Sequence, residues 1–513
     1  MFRLLLLDKG ESGFSVDRPD QFLSAKAIER RNKQDILVDE TDLPVAESYL
    51  SRIRHTGVEI VAKSKWLKTV TVKTNDTSVA NTLLALPFVD TLQCVYRGVL
   101  APVEEDTLPL TPFEVTGDET YQDKYGKGFQ QIALHNGNLL HAEGYQGQGM
   151  TIAVFDGGFQ NVDKMDAFLP ERILERKSFT YIQTDPFRVK SRHGTRVLSC
   201  MLANKENVMV GTAPEASYYL FCSEVDNCEF PVEEDFWMTG VEYADSVGVD
   251  IITTSLGYTT FDAEEMNHAI NQLDGETILM SRAATMATEK GIFVLNAAGN
   301  EGNQSWQTIS FPSDAKGILT VGAVDSDGYL ADFTPYGPTV DGRTKPDVVG
   351  MGVATSLIDV DGSLISGNGT SFSTPVVAGL VACLWQALPE LNVQQLVQLL
   401  QNSSDRYDDP DPRYGYGIPD VFKIYGENTS LKAPWHTEAS SPLRHIGAYL
   451  FVNVEPDFLP KCKLSVYSTI GERVVEVKSL PHASIGISHL PKGMYIALLE
   501  GPNIYRTCKF ITR

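Results

Sequence analysis

Between about residue 125 and residue 428 the chain alternates nearly continuous apolar runs with amphipathic helical stretches, and that alternation leaves few folds open. Met150–Phe155, Ser217–Cys222, Ile251–Thr254, Ile292–Ala297 and Leu319–Val324 read as strands. Gly194–Leu202, Glu233–Gly248 and Thr277–Lys290 lie between them and carry a helical period. A strand that is apolar on both faces has to be covered on both faces, which predicts a parallel sheet between layers of helices. Ligands of such sheets bind in the loops at the carboxyl ends of the strands.

The flanks read differently. Residues 1–100 mix helices (Gln21–Arg31, Val45–Arg54, Val79–Leu86) with extended runs (Ile36–Val38, Val58–Ala62, Thr69–Lys73, Val89–Tyr96), a small α+β unit. The apolar core of Met1–Lys9 is too short for a signal peptide and reads as an edge strand. Residues 101–124 (Pro102–Thr120 above all, rich in Glu, Asp, Thr and Pro) and 429–447 (with Ala433-Pro-Trp435 and Ser440-Ser-Pro442) read as linkers. Residues 448–513 alternate with period two and are punctuated by Gly471, Gly486, Gly493 and Gly501, the pattern of a small antiparallel β-sandwich.

Charge follows the same divisions. The chain of 513 residues carries a net charge of −23. Residues 1–100 hold 14 basic and 13 acidic side chains and residues 430–513 hold 10 and 6, so the middle carries −28. That balance argues against nucleic acid and against an anionic membrane surface as partners. The longest uncharged stretch, Gly362–Pro389, is filled with Gly, Asn, Ser and Thr in its first half. Only Val376–Leu388 reads as a helix there, a buried one rather than a membrane span. The seven cysteines lack zinc-ligand spacing; Cys222 with Cys228 and Cys462 with Cys508 are the conceivable pairs.

Three short segments of the middle unit hold groups that could act together. Thr151–Asp156 ends a buried strand on a carboxylate, His193-Gly-Thr195 opens a helix, and Gly367–Pro375 is a Gly-rich turn carrying Ser371 into the next helix. Singly, each has a plainer reading: an Asp at a strand end is commonly a turn residue, a His at a helix start is commonly packed, and Ser371 suits an N-cap. Together they supply a hydroxyl, an imidazole to take its proton, and a buried carboxylate to fix the imidazole's tautomer. Asn300, in Leu295-Asn-Ala-Ala-Gly-Asn-Glu-Gly302, adds an amide donor for a developing oxyanion.

The order Asp156, His193, Ser371, with no G-x-S-x-G elbow, resembles that of the subtilisin-like serine proteases (subtilases) over about residues 130–425. The resemblance implies that Asp156 orients the base, His193 is the general acid and base, Ser371 is the nucleophile and Asn300 binds the oxyanion. It also implies that Ser255, Leu256 and Gly257 pair with substrate backbone, and that Ala297, Ala298 and Gly299 wall the primary specificity pocket with Ser310 at its floor. Arg343–Asp347 matches a further, structural segment of the family. The sequence departs from the family at Gly157-Gly158, at Arg196 and at Phe372-Ser373, none of which removes a catalytic atom. The resemblance further implies an N-terminal propeptide that inhibits its own enzyme, polypeptide substrates, no required cofactor, a possible structural calcium, and a secreted or cell-surface location with any signal peptide outside this sequence. Val466–Val475, Ile487–Tyr495 and the basic strand Cys508–Arg513 resemble the C-terminal sorting domains of type IX secretion in Bacteroidetes, which implies that machinery as a partner. The alternative is a subtilase fold that binds or adheres without turnover.

Overall fold

The computed structural model describes residues 1–98, 124–181, 185–225 and 228–429; after residue 442 it describes 443–446, 449–452, 454, 456–468, 471–480, 484–487, 489–501 and 504–512. The expected linker at Pro102–Thr120, and most of the one at 429–447, lie outside the described residues.

At the N-terminal end, β1 (Phe2–Leu6), α1 (Ala25–Lys33), α2 (Glu47–Arg54), β2 (Glu59–Ser64), β3 (Thr69–Lys73), α3 (Val79–Leu84) and β4 (Val89–Cys94) form an antiparallel sheet with helices. Its order is β2-β3-β1-β4. The first strand is therefore not an edge: Phe2 faces Val72 on one side and Cys94 on the other. Its burial explains the placement, since Leu4 and Leu6 enter the apolar core and even Arg3 is buried. Ile36–Val38, expected to be extended, has no regular structure.

The middle holds the parallel sheet. Its elements in chain order are β5 (Thr151–Asp156), β6 (Ile173–Ser178), α4 (His193–Leu202), β7 (Ser217–Cys222), α5 (Val232–Val247), β8 (Ile251–Thr254), α6 (Leu279–Glu289), β9 (Phe293–Ala297), β10 (Leu319–Val324), β11 (Val348–Met351) and α7 (Thr370–Ala387). The strands stand in the order β11-β10-β9-β8-β5-β7-β6, and all six pairings are parallel. Sequence periodicity missed β6 and β11. The first is a half-exposed edge carrying Glu175, Arg176 and Lys177; the second spans four residues. From β5 the chain builds outward through β6 and β7, then returns so that β8 pairs with the other side of β5. The strand order reverses between β5 and β8, which opens a crevice beyond their carboxyl ends.

Residues 1–137 and 146–424 make one compact unit. Inside it the N-terminal sheet and helices lie against α5, and α5 meets them with carboxylates. Asp235, Glu242 and Asp245, at helix spacings of seven and three, share one face. Arg3 Nε donates to Asp235 at 2.6 Å and Arg3 Nη2 to Glu234 at 3.3 Å. Glu242 accepts the backbone N–H of Lys65 at 2.8 Å and of Trp66 at 3.0 Å. Arg30 and Arg31 both reach Asp245, at 2.5 and 2.8 Å, and Arg31 also pairs with Asp42 at 2.8 Å. Burial works against ionisation of Asp245, but the two guanidinium groups outweigh it and hold that carboxyl below its usual range.

Residues 138–145 and 425–513 form the second unit. It has a three-stranded sheet of Leu443–Ile446, Tyr449–Val452 and Ser484–Gly486, and a four-stranded sheet of Arg473–Val477, Lys463–Ser468, Gly493–Gly501 and Ile504–Thr512. All their pairings are antiparallel, and Leu450, Val452, Leu464, Val466, Ala497, Leu499 and Phe510 share one core. The first strand begins at Leu443, inside the stretch read as a linker, because Leu-Arg-His-Ile is too short to display an alternation. Neither conceivable cysteine pair is joined by a disulfide. Among the described residues, no helix is long and apolar enough to cross a membrane.

Removing one partner of a buried ion pair strands the other, at a cost of about 3–5 kcal/mol. Arg31→Met, in a Ser371→Ala background that keeps the chain intact, is expected to lower the unfolding free energy by that order, read from urea denaturation followed by tryptophan fluorescence.

Candidate active site

Asp156 is the last residue of β5, a strand buried along its whole length. Its carboxylate has no exposure to solvent. One oxygen accepts the N–H of Gly157 at 2.9 Å and the other meets Nδ1 of His193 at 2.8 Å. His193 is the first residue of α4 and its side chain is 38% exposed, so the ring spans from the buried carboxylate to the crevice. Gly194 permits this approach. A Cβ there would lie 2.3 Å from the carbonyl oxygen of Gly158 and 2.9 Å from the Asp156 side chain. The glycine of His-Gly-Thr is thus required by packing, and Thr195 pins the turn by donating its hydroxyl to the Gln160 carbonyl at 3.0 Å.

Ser371 is the second residue of α7, so it is inside the helix and is not its N-cap; Gly369 takes that place, with φ of 152°. The helix starts at Thr370, six residues earlier than periodicity alone indicates, because its first turn is written in Thr, Ser and Phe. Pro375 lies four residues beyond Ser371 and has no N–H to give, which leaves the Ser371 carbonyl without its helical donor. The hydroxyl of Ser255 supplies the missing bond at 2.9 Å. The hydroxyl of Ser371 in turn donates to the Ser255 carbonyl at 3.3 Å. The carboxyl end of β8 and the first turn of α7 are thereby fastened to each other.

The second residue of a helix has no intrahelical partner for its own N–H, so the amide of Ser371 is available beside its hydroxyl. Asn300 complements it. Its Oδ1 accepts the N–H of Thr370 at 2.9 Å, and Thr370 Oγ1 donates to the Gly299 carbonyl at 2.8 Å. With Oδ1 so engaged, Nδ2 is the end of the amide left to donate.

His193, Ser371, Asn300, Ser255, Leu256, Gly257, Ala297 and Gly299 all line one cleft of about 300 Å³. Of the residues assigned by sequence, Asp156 and Ala298 do not line it: Asp156 lies behind His193, and Ala298 is wholly buried, donating to the Val321 carbonyl and accepting from Ser310 N at 3.0 Å. Ser310 stands at the cleft, where a Cβ on Gly257 would come within 2.1 Å of its hydroxyl. The sequence reading missed Thr370, Glu224, Glu229 and Glu301. Position was the available signal for Thr370 and Glu301, which adjoin Ser371 and Asn300. Glu224 and Glu229 sit on the loop after β7 that was noticed only for its cysteines. Among the described residues no group of three or more His, Cys, Asp or Glu is placed to hold a metal ion, so no calcium site is assigned.

Comparison with known proteins identifies relatives of this chain. Residues 147–417 match the model of the Subtilase family, and residues 1–106 match that of the Peptidase S8 propeptide domain of Bacteroidota. Subtilisin NAT of Bacillus subtilis subsp. natto is 30% identical over 285 residues, covering 55% of this chain and 67% of the relative. Serine protease AprX of Bacillus subtilis is 31% identical over 316 residues, covering 55% and 66%. Among solved structures, MycP1 from Mycobacterium smegmatis aligns with a TM-score of 0.48 and 17% identity, over 63% of this chain and 90% of that one.

Gly194→Ala is expected to push His193 off Asp156 and to slow the reaction of Ser371 with a fluorophosphonate probe by a factor of ten or more. The rate of labelling of propeptide-free protein measures it.

Proposed function

Because the chain belongs to the subtilase family and is a serine endopeptidase, we propose that Asp156, His193, Ser371 and Asn300 carry its reaction and that it is made as a secreted zymogen. The observation that carries this reading is the 2.8 Å bond from Asp156 to His193 beside a cleft that also holds Ser371 and Asn300. Substrate backbone lies extended along Ser255, Leu256 and Gly257, with Ala297 and Gly299 on the opposite wall. Ser371 Oγ releases its bond to the Ser255 carbonyl and attacks the scissile carbonyl carbon. His193 Nε2 takes the proton, while Asp156 holds Nδ1–H and favours the cationic ring. The oxyanion receives bonds from Asn300 Nδ2 and the Ser371 N–H, donors already in place before the charge develops. Collapse breaks the C–N bond, and His193 returns its proton to the departing amine. A water, deprotonated by the same ring, then hydrolyses the acyl-enzyme.

The flanking parts complete the proposal. Residues 1–100 act as intramolecular inhibitor, a role supported by the propeptide match and by their buried ion pairs with α5. Residues 448–513 serve as a C-terminal β-sandwich sorting domain for type IX export, supported by the sequence resemblance, by the two antiparallel sheets and by the Bacteroidota character of the propeptide. The catalytic domain at 125–428 lies between them.

Ser371→Ala is expected to abolish both peptide hydrolysis and propeptide removal while leaving circular dichroism unchanged; undiminished cleavage would refute the assignment. Asn300→Ala is expected to lower kcat with little change in KM, by about 10²–10³, a magnitude measured on a subtilisin. Deleting residues 443–513 is expected to retain fluorophosphonate labelling and to block export from the producing bacterium, checked by fractionation.

A further inference from the structure

Two of the places where this sequence departs from its family, Arg196 and Phe372, meet at one hairpin. Its strands, Thr355–Ile358 and Leu364–Gly367, pair antiparallel. After Gly367 only Asn368 and Gly369 precede the first turn of α7, which carries Ser371. The hairpin is therefore the arm that delivers the nucleophile. Its base is fixed: the Gly369 N–H donates to the Gly352 carbonyl at 2.8 Å, and the Ala354 N–H to Asn368 Oδ1 at 2.8 Å.

Its far end is held by the elements that carry Asp156 and His193, through three consecutive residues. The Ile358 N–H donates to Ser199 Oγ of α4 at 3.0 Å. Asp359 accepts twice from Arg196 of α4, Nε to Oδ1 and Nη2 to Oδ2, both at 3.0 Å, and once from Arg192 Nη1 at 3.2 Å. The Val360 carbonyl accepts Asn161 Nδ2 at 2.9 Å, from the loop that leaves Asp156. Arg192 is the N-cap of α4 and Arg196 its fourth residue, so the two bracket His193. The carboxylate of Asp359 thus grips α4 at the turn that presents the imidazole.

Burial and bond geometry single out this pair. The side chain of Asp359 is 7% exposed and that of Arg196 28%. Burial works against ionisation of Asp359, but the bonds from Arg196 and the Val360 N–H outweigh it, and the carboxyl is held below its usual range. An ion pair with one partner open to solvent adds little to stability. Two parallel N–H···O bonds do fix direction. Phe372 makes a second link between the same parts. It is 6% exposed, and its ring stands 6.0 Å from the His193 imidazole at an inclination of 38°. A Cβ on Gly367 would come within 2.8 Å of that ring, so Phe372 fills the space between the hairpin and the imidazole.

We propose that Asp359 is a positioning residue of the reaction: through Arg196 it holds the turn of α4 that carries His193 in register with the hairpin that carries Ser371. The inference rests on the hydrolase reading above and adds to it a group that touches no reacting atom. A misplacement of about 1 Å costs about 10²-fold in rate. Substrate binding along Ser255–Gly257 is left as it was.

The test uses full-length enzyme after self-processing and a fluorogenic peptide, with active sites counted by fluorophosphonate and melting followed by circular dichroism. Arg196→Ala and Asp359→Asn are each expected to lower kcat by about tenfold or more, with KM within about twofold, and to slow labelling of Ser371 in parallel. The double variant is expected to lose no more than the worse single one, because both remove the same interaction. Arg196→Lys keeps the charge and gives up the second bond, so its kcat falls between those of the parent and Arg196→Ala. Should the other variants fail to fold, Arg196→Lys decides alone, by a kcat lowered about threefold or more at unchanged KM. An unchanged kcat in folded variants, a loss carried by KM, or losses that multiply in the double variant overturn the inference and leave the hydrolase reading standing. A parent enzyme that neither labels nor cleaves overturns both.

Discussion

A parallel sheet in the middle of a protein has to be apolar on both faces, and everything chemical in this molecule follows from that constraint. Polar groups cannot be spread along β5 or β8, so they collect where those strands stop. Asp156 closes one strand and Ser255 follows the other, on the two sides of the reversal in strand order. The helices that cover the sheet begin near the same edge and bring His193 and Ser371 with them. A buried carboxylate, a half-exposed imidazole and a hydroxyl at a helix start thus meet because of strand topology, over gaps of 37 and 178 residues.

Fine placement depends on residues that do no chemistry. Gly194 matters for the Cβ it lacks, since that atom would occupy the space between Gly158 and Asp156. Pro375 matters for the N–H it lacks. By leaving the Ser371 carbonyl unbonded within α7 it creates a vacancy that Ser255 fills from the adjoining strand. Thr370 holds Asn300 by one end so that the other end is presented. Two omissions and one backbone N–H therefore set the geometry of the constellation.

Much of this was legible in the sequence, and the reasons differ by residue. Buried parallel strands such as Ser217–Cys222 and Leu319–Val324 announce themselves because both faces are apolar. The edge strand Ile173–Ser178 does not, because Glu175, Arg176 and Lys177 give it the look of a loop. The start of α7 was hidden because Gly369-Thr-Ser-Phe carries turn chemistry while folding as a helix. The central position of β1 was hidden because an Arg beside a Leu run looks like a surface boundary, whereas Arg3 is buried against Asp235. Asp156, His193, Ser371 and Asn300 were findable as short motifs. Glu224 and Glu229 were not, since their relevance comes from a loop folded around Glu233, a contact that spacing alone does not encode.

The pairing of Arg30 and Arg31 with Asp245 has a bearing on timing. Hydrolysis of one peptide bond beyond the N-terminal sheet alters connectivity and disturbs none of the contacts beneath it. Nicking and departure are then separate events, and the second is governed by how slowly two buried guanidinium groups return to water. In that arrangement the α5 ion pairs hold the N-terminal sheet in place through contacts that cutting the chain does not touch.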